Sequence, residues 1–307
     1  MTAFFHAPGQ FYRGNLHTHS NCSDGVLDPA EVCRRYQAEG YDFICLSDHF
    51  IGLFKYPITD TKPFRNVNFT TILGAEMHSG AMQNGELWHI LAVGLPEGFT
   101  PPHAPTFFPE AGQETGPQIA ERCRAAGAFV AIAHPEWAGL TTEDALSIEA
   151  AHAVEVYNHG CAIGSDRPHG FYTLDQMLSA GRKLNLIATD DAHFSEPDHF
   201  GGWVMVKAEA NEPELLLAAL KAGHFYASTG PELHNIEWHK DHVMVECSPV
   251  TAVILQGRGS ATKNLNGSSI TRATIELDYR FEGTDWLRLT VMDRAGKRAW
   301  SNPYYRV

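Results

Sequence analysis

The sequence predicts an α/β fold of the barrel type, and three observations predict it. Short apolar runs recur along the first two thirds of the chain, each followed by a loop and usually by a helical pattern. Histidine or carboxylate residues stand just past the ends of at least five of these runs. Helices alternating with strands imply a mainly parallel sheet, and polar donors at so many strand ends converge more easily in a closed ring than in an open sheet.

The first element is the run before HTHSNCSDG, residues 17–25. His17 and His19 stand two apart, so on a strand both imidazoles point to one side. Asp24 follows in a Ser-Asp-Gly turn that can swing its carboxylate back toward them. Asp28-Pro29 and AEVCRRYQAEG read as a cap, a proline at the first helical position and an amphipathic helix stopped by Gly40. YDFICLSDHF is then a strand ending in Asp48 and His49, and residues 50–68 read as a long loop beside it.

In TTILGAEMHSG, Thr71 to Ala75 read as strand with Glu76 at its end. Twelve residues separate Glu76 from His89, which opens the apolar run HILAVGL; so short a connection suits an antiparallel pair and would bring His89 beside Glu76. His78, two residues past Glu76, is an alternative donor to His89 and a candidate substrate contact. Residues 96–116 are Pro- and Gly-rich and read as a second long loop. A helix from about Pro117 to Ala126 leads into AFVAIAHPEW, with His134 past the strand end. A further helix runs from about Thr142 through His152, and AVEVYN ends at Tyr157 and Asn158. NHGCAIGSDRPHG reads as a polar loop and TLDQMLSAG as a short helix; LNLIATDDAHF then supplies Asp190, Asp191 and His193. GGWVMVKAEA and EPELLLAALKAGH read as the last barrel strand and helix, closing a domain of residues 1–230. From 231 to 307 the pattern changes to period-two alternation between Gly, Asn, Asp and Ser, as in a small antiparallel β domain.

Composition narrows the partners. A formal charge of −13 without a Lys/Arg cluster argues against a nucleic-acid backbone. No uncharged run of membrane-spanning length appears, and the N-terminus lacks a secretory pattern, so the expected location is cytoplasmic. Six cysteines with no CxxC pair read as reduced thiols. The composition gives no oligomeric state.

Collected, the candidate metal ligands are His17, His19, Asp24, His49, Glu76, His89, His134, Asp191 and His193. Imidazole and carboxylate without thiolate suit Zn, Mn or Fe, and nine donors exceed one ion's coordination, so two or three divalent ions are expected. Such a cluster activates a bridging water for hydrolysis. Glu76, His49 and His193 are the candidate catalytic residues. Arg167 could grip a phosphate or carboxylate of a small-molecule substrate, and Asn158 lies in the same stretch. Asp190 reads as a bracing residue. His103, His199, His224, His234, His239 and His242 have no supporting pattern.

These motifs in this order resemble the PHP family, named for polymerase and histidinol phosphatase. The resemblance is carried by HTHS at 17–20, SDG at 23–25, SDH at 47–49, GAE at 74–76, His89, AHP at 133–135 and DDAH at 190–193, and covers roughly residues 10–230. It implies a distorted (β/α)7 barrel, a two- or three-metal centre and phosphoesterase activity on a small phosphorylated metabolite or nucleotide. Carried over, one ion falls to His17, His19, Glu76 and Asp191, a second to Glu76, His89 and His134, and a third to Asp24, His49 and His193. The YASTGP stretch and β-rich tail resemble a branch acting on carboxylic and carbamate esters, which is the alternative reaction. A noncatalytic metal-bound module is the third reading.

Overall fold

The computed structural model describes residues 3–99 and 114–306. It is a strand-rich mixed α/β structure. In chain order come β1 (Gln10–Asn15), α1 (Pro29–Ala38), β2 (Phe43–Ile44), β3 (His49–Phe50), β4 (Thr70–Thr71), β5 (Gly74–Ala81) and β6 (Leu87–Val93). Next are α2 (Gly116–Ala125), β7 (Phe129–Ile132), α3 (Thr142–Ser147), β8 (Ala153–Asn158), α4 (His159–Gly164), α5 (Phe171–Ser179) and β9 (Asn185–Thr189). β10 (Trp203–Ala208), α6 (Pro213–Ala222) and β11 (Phe225–Ser228) lead to β12 (Leu233–Trp238), β13 (His242–Gln256), β14 (Thr262–Glu276), β15 (Trp286–Met292), β16 (Arg298–Ser301) and β17 (Tyr304–Tyr305).

Local chemistry sets the helix ends. Asp28 caps α1 by accepting from the Glu31 amide, Pro29 occupies the first turn, and Val32, Cys33 and Tyr36 turn inward. Thr115 and Gln118 form a reciprocal capping box at α2. All six cysteines are free thiols. Among the described residues no helix is long and apolar enough to cross a membrane.

One sheet runs β3-β5-β6-β7-β8-β9; the other runs β4-β2-β1-β10-β11-β16-β15-β13-β12, with β14 on β13. The two are stitched together where the site lies. The Glu76 amide bonds the Ser47 carbonyl at 3.0 Å, the Ser47 amide bonds Thr18 at 2.8 Å, and Thr18 forms a parallel bridge with Ala192. The segment carrying His17 and His19 is thus held between the ends of β2 and β9.

Several elements differ from the sequence reading. The pairing is mixed: β1–β2, β2–β4, β3–β5, β7–β8 and β8–β9 are parallel, whereas β5–β6, β6–β7, β1–β10 and β10–β11 are antiparallel. Glu76 is not at a strand end, because β5 runs on to Ala81 in a hairpin with β6 turned at Asn84-Gly85, where Gly85 has φ 89°. α3 stops at Ser147 rather than His152, since the Arg182 guanidinium takes the carbonyls of Leu146, Ile148 and Glu149. The stretch read as a polar loop begins with α4, whose first turn is capped by the Asn158 carboxamide accepting from the Cys161 amide. Trp203–Ala208 pairs with β1 and β11, not with β9, and so leads into the β-rich tail. Most of the second long loop, His103 included, lies outside the described residues.

The tail packs on the α/β part. Trp286 and Trp300 join the apolar cluster formed by β5 to β9 and their helices. Arg288 pairs with Asp175 of α5 at 3.0 Å. The Asn302 carboxamide accepts from the Leu186 amide and donates to the carbonyls of Gly223 and Phe225.

Replacing Asn302 by Ala strands these three groups, two of them buried, and is expected to cost about 2 kcal/mol, lowering Tm by about 4–8 °C; calorimetry showing no change would refute the clamp. A second outcome concerns His152, whose Nδ1 accepts from the Val130 amide at 3.0 Å. Burial, then the charges of Arg124 and Lys221, push its pKa down from 6.5 to about 4. Its contribution is therefore complete above pH 6.5 and is lost as pH falls toward 4. A His152→Gln variant should show a shallower Tm decline over that window than the unmodified protein; identical slopes would rule the effect out.

Candidate metal centre

His17 and His19 sit on the extended segment after β1, alternate side chains facing the same way, with ring centroids 5.2 Å apart. Both are fully buried, as is Glu76. The turn that brings Asp24 back rests against this segment: a Cβ on Gly25 would lie 2.7 Å from the His19 carbonyl carbon, so only glycine permits the approach. Asp48 braces the same turn, accepting from the Ser20 amide and from the hydroxyls of Ser20 and Ser23.

Glu76 is the hub. Its Oε1 lies 2.7 Å from His89 Nδ1 and 3.1 Å from His134 Nε2. Its Oε2 lies 2.7 Å from His49 Nδ1 and 3.5 and 3.6 Å from Nε2 of His17 and His19. Asp191 Oδ1 stands 3.1 and 3.0 Å from Nε2 of His17 and His19. Farther out, Asp24 meets His49 at 3.2 Å and His193 at 3.3 Å. These atoms form overlapping compact sets: His17, His19 and Glu76; His17, His134 and Asp191; Glu76, His89 and His134; and His19, Asp24, His49 and His193. His78 joins His49 and Glu76, its Nε2 2.7 Å from His49 Nδ1.

The donor set fits divalent cations, and His17 gives the reason. Its Nδ1–H donates to Glu155 at 3.0 Å, so in the neutral ring Nε2 is a lone pair. That lone pair faces two carboxylate oxygens within 3.5 Å, and both His17 Nε2 and Glu76 Oε2 are buried without a hydrogen-bond partner. Three acceptors converging in a buried space repel one another unless a cation stands among them. Without that charge, protons must do the same work. Burial works to raise the Glu76 carboxyl, but His49, His89 and His17 hold it well below the usual range. Asp191 is held down likewise, against burial, by His17 and His19. Burial opposes protonation of His49, yet Glu76 and Asp24 lift it to about 10. His193 rises to about 9, against burial, through Asp24. His19 falls to about 4 through burial and the neighbouring His49 and His193.

Backbone strain marks the same place. His134 has φ 21° and Asp191 φ 56°, in a region that non-glycine residues seldom occupy. Asp190 pins the second of these: its carboxylate accepts from the amides of Phe200, Gly201 and Gly202 and from the Tyr36 hydroxyl.

All nine residues singled out from the motifs meet around one cavity of about 340 Å³ or in its floor. The remaining candidates fall elsewhere. Asn158 is buried behind the floor, donating to Glu155 and Asp191. Arg167 is exposed in the turn after α4 and does not line the cavity. Sequence reasoning missed Glu155. It is fully buried in β8, where its two oxygens accept from His17, the Thr189 hydroxyl, the His134 amide and Asn158. Its signal was an acid in the middle of the apolar run AVEVYN. Trp137, on the cavity wall beside His134, was also missed.

No family model and no curated protein matches the chain. Solved structures do. A two-domain protein from Bacteroides vulgatus, described as containing a predicted PHP-like metal-dependent phosphoesterase, aligns over 97% of this chain and 95% of its own, with TM-score 0.53 and 17% identity. An amidohydrolase from Chromobacterium violaceum aligns over 60% of this chain and 89% of its own, with TM-score 0.45 and 15% identity. The first likeness establishes a shared fold, in line with the resemblance carried by the motifs.

Changing Glu155 to Gln sets an NH2 group against donors on one side of the carboxyl site. Affinity for Zn or Mn should fall about 10- to 100-fold in a chelator competition; unchanged affinity would show that Glu155 does not orient His17.

Proposed function

We propose that this chain is a metal-dependent hydrolase of the PHP type, acting on a phosphoric ester of a small molecule. The observation that carries this reading is Glu76, a fully buried carboxylate with both oxygens turned toward imidazoles. Counting β2–β3 and β4–β5 each as one interrupted strand, β1 to β9 make seven segments, the last returning to the segment after β1 through the Thr18–Ala192 bridge, which supports reading the α/β part as a distorted (β/α)7 barrel.

His17, His19, Glu76 and Asp191 would hold one ion, Glu76, His89 and His134 a second, and Asp24, His49 and His193 a third. Zn, Mn or Fe bound there would supply Lewis-acid charge to the reacting group. The protein's own residues do the rest. Glu155 fixes the His17 tautomer so that Nε2 faces inward, and Asp48 holds the turn bearing Asp24. With the third site empty, His49 and His193, partly exposed on either side of Asp24, are placed to pass a proton between the cavity and water; with an ion held there, water takes that role. The buried floor excludes solvent from the side opposite the entrance.

A carboxylic or carbamate ester hydrolase is the second reading. It is favoured by one feature: none of the described residues lining the cavity is Lys or Arg, so no side-chain cation grips a phosphate.

The metal-reconstituted protein should turn over p-nitrophenyl phosphate, and a His17→Ala/His19→Ala variant should lose at least about 10³-fold in kcat/KM, as for removal of a central catalytic element. Turnover confined to p-nitrophenyl acetate or a carbamate would move the assignment to the second reading. Turnover surviving in the double variant would refute both.

A further inference from the structure

The walls of the cavity differ from its floor in what they can bind. Trp137, in the turn after β7, packs edge-on against His134 and His89, with centroids 4.9 and 5.5 Å away, and stays 43% exposed. A large indole pinned by the ligand histidines and left open on a cavity wall is a platform awaiting an occupant. Across the face of α4 lies Glu196, in the turn after β9. Gly164 opposes it without a side chain; a Cβ there would be 3.8 Å from Glu196 Oε2. Glu196 is exposed and makes no hydrogen bond or ion pair among the described residues. The neighbouring Asp198 is already committed, accepting from the amides of His193 and Phe194.

Charge decides what the occupant is. Apart from the candidate metal ligands, Cys161 and the committed Asp198, the described lining offers an indole, hydroxyls of Ser165 and Ser195, and the Glu196 carboxylate, but no Lys or Arg. A ligand that covered Glu196 without bringing a countercharge would bury an unpaired anion, at a cost of several kcal/mol. A second phosphate or carboxylate on the ligand would add repulsion to that cost. An ammonium group suits both walls, the indole by cation–π attraction and the carboxylate by charge.

We propose that Trp137 and Glu196 form a specificity subsite for an alkylammonium group of the substrate. The proposal rests on the hydrolase reading for the reacting end but not for the subsite itself. The cavity, about 340 Å³, has room for a small ester carrying such a group and is at the small end for ligand sites.

Isosteric pairs that differ only in charge test it. Phosphocholine is compared with 3,3-dimethylbutyl phosphate, and acetylcholine with 3,3-dimethylbutyl acetate, on the metal-reconstituted protein. The cationic member of the pair that is turned over should have the higher kcat/KM by about tenfold, mostly through KM. That preference should shrink toward one in Trp137→Ala and in Glu196→Gln, and be partly retained in Trp137→Phe. A preference of one or below in the unmodified protein, or a preference unaltered in both variants, overturns the subsite. If neither pair nor the p-nitrophenyl esters are turned over, the hydrolase reading falls. Calorimetric titration then still decides the subsite: choline must bind more tightly than 3,3-dimethylbutan-1-ol and lose that advantage in Trp137→Ala, or the proposal is wrong.

Discussion

Everything in the floor of the cavity answers to the burial of Glu76. An ionised carboxylate removed from water costs several kcal/mol unless positive charge and hydrogen bonds replace its hydration. Here five imidazoles stand within 3.6 Å of its oxygens. They come from the segments after β1 and β7, from β3 and from β6, so satisfying one carboxylate fixes the relative positions of four parts of the chain. The stitching of the two sheets through Ser47, Thr18 and Ala192 happens at the same level. The electrostatic centre and the mechanical junction of the α/β part are the same place.

Around that centre runs a layer of carboxylates whose work is with backbone and hydroxyl groups. Asp48 holds the turn of Asp24, Asp190 holds the loop after His193, and Glu155 holds His17 and the His134 amide. These contacts oppose the tendency of His134 and Asp191 to relax from positive φ, a conformation worth on the order of 1–3 kcal/mol each. The strain places both side chains inward, where an extended backbone would direct them elsewhere.

The donors were legible in the sequence because each lies in a short motif beside an apolar run, and that is a local property. The extension of β5 past Glu76 was not, since it depends on β6 lying opposite as far as Leu87. Gly160 and Gly164 made α4 read as loop, although Asn158 was there to cap it. β10 read as the next strand of the ring, yet its partner β1 is nearly 200 residues earlier, and nothing local announces such a pairing. Glu155 lies inside an apolar run rather than past its end, so no strand-end pattern marks it. Trp137 follows His134 by three residues, but only the folded chain reveals which side of the cavity it walls.

β1 is held between β2, which follows it closely, and β10, which does not. His19 likewise waits on Asp191, 172 residues later. On a ribosome moving at about 5–20 residues per second, that interval is on the order of ten to thirty seconds. For that time the first histidines exist as solvated side chains on an unfinished scaffold, with neither their counter-charges nor their bracing acids yet made. The centre is therefore a late product of synthesis, and ions can be sorted by the finished cage rather than captured one motif at a time.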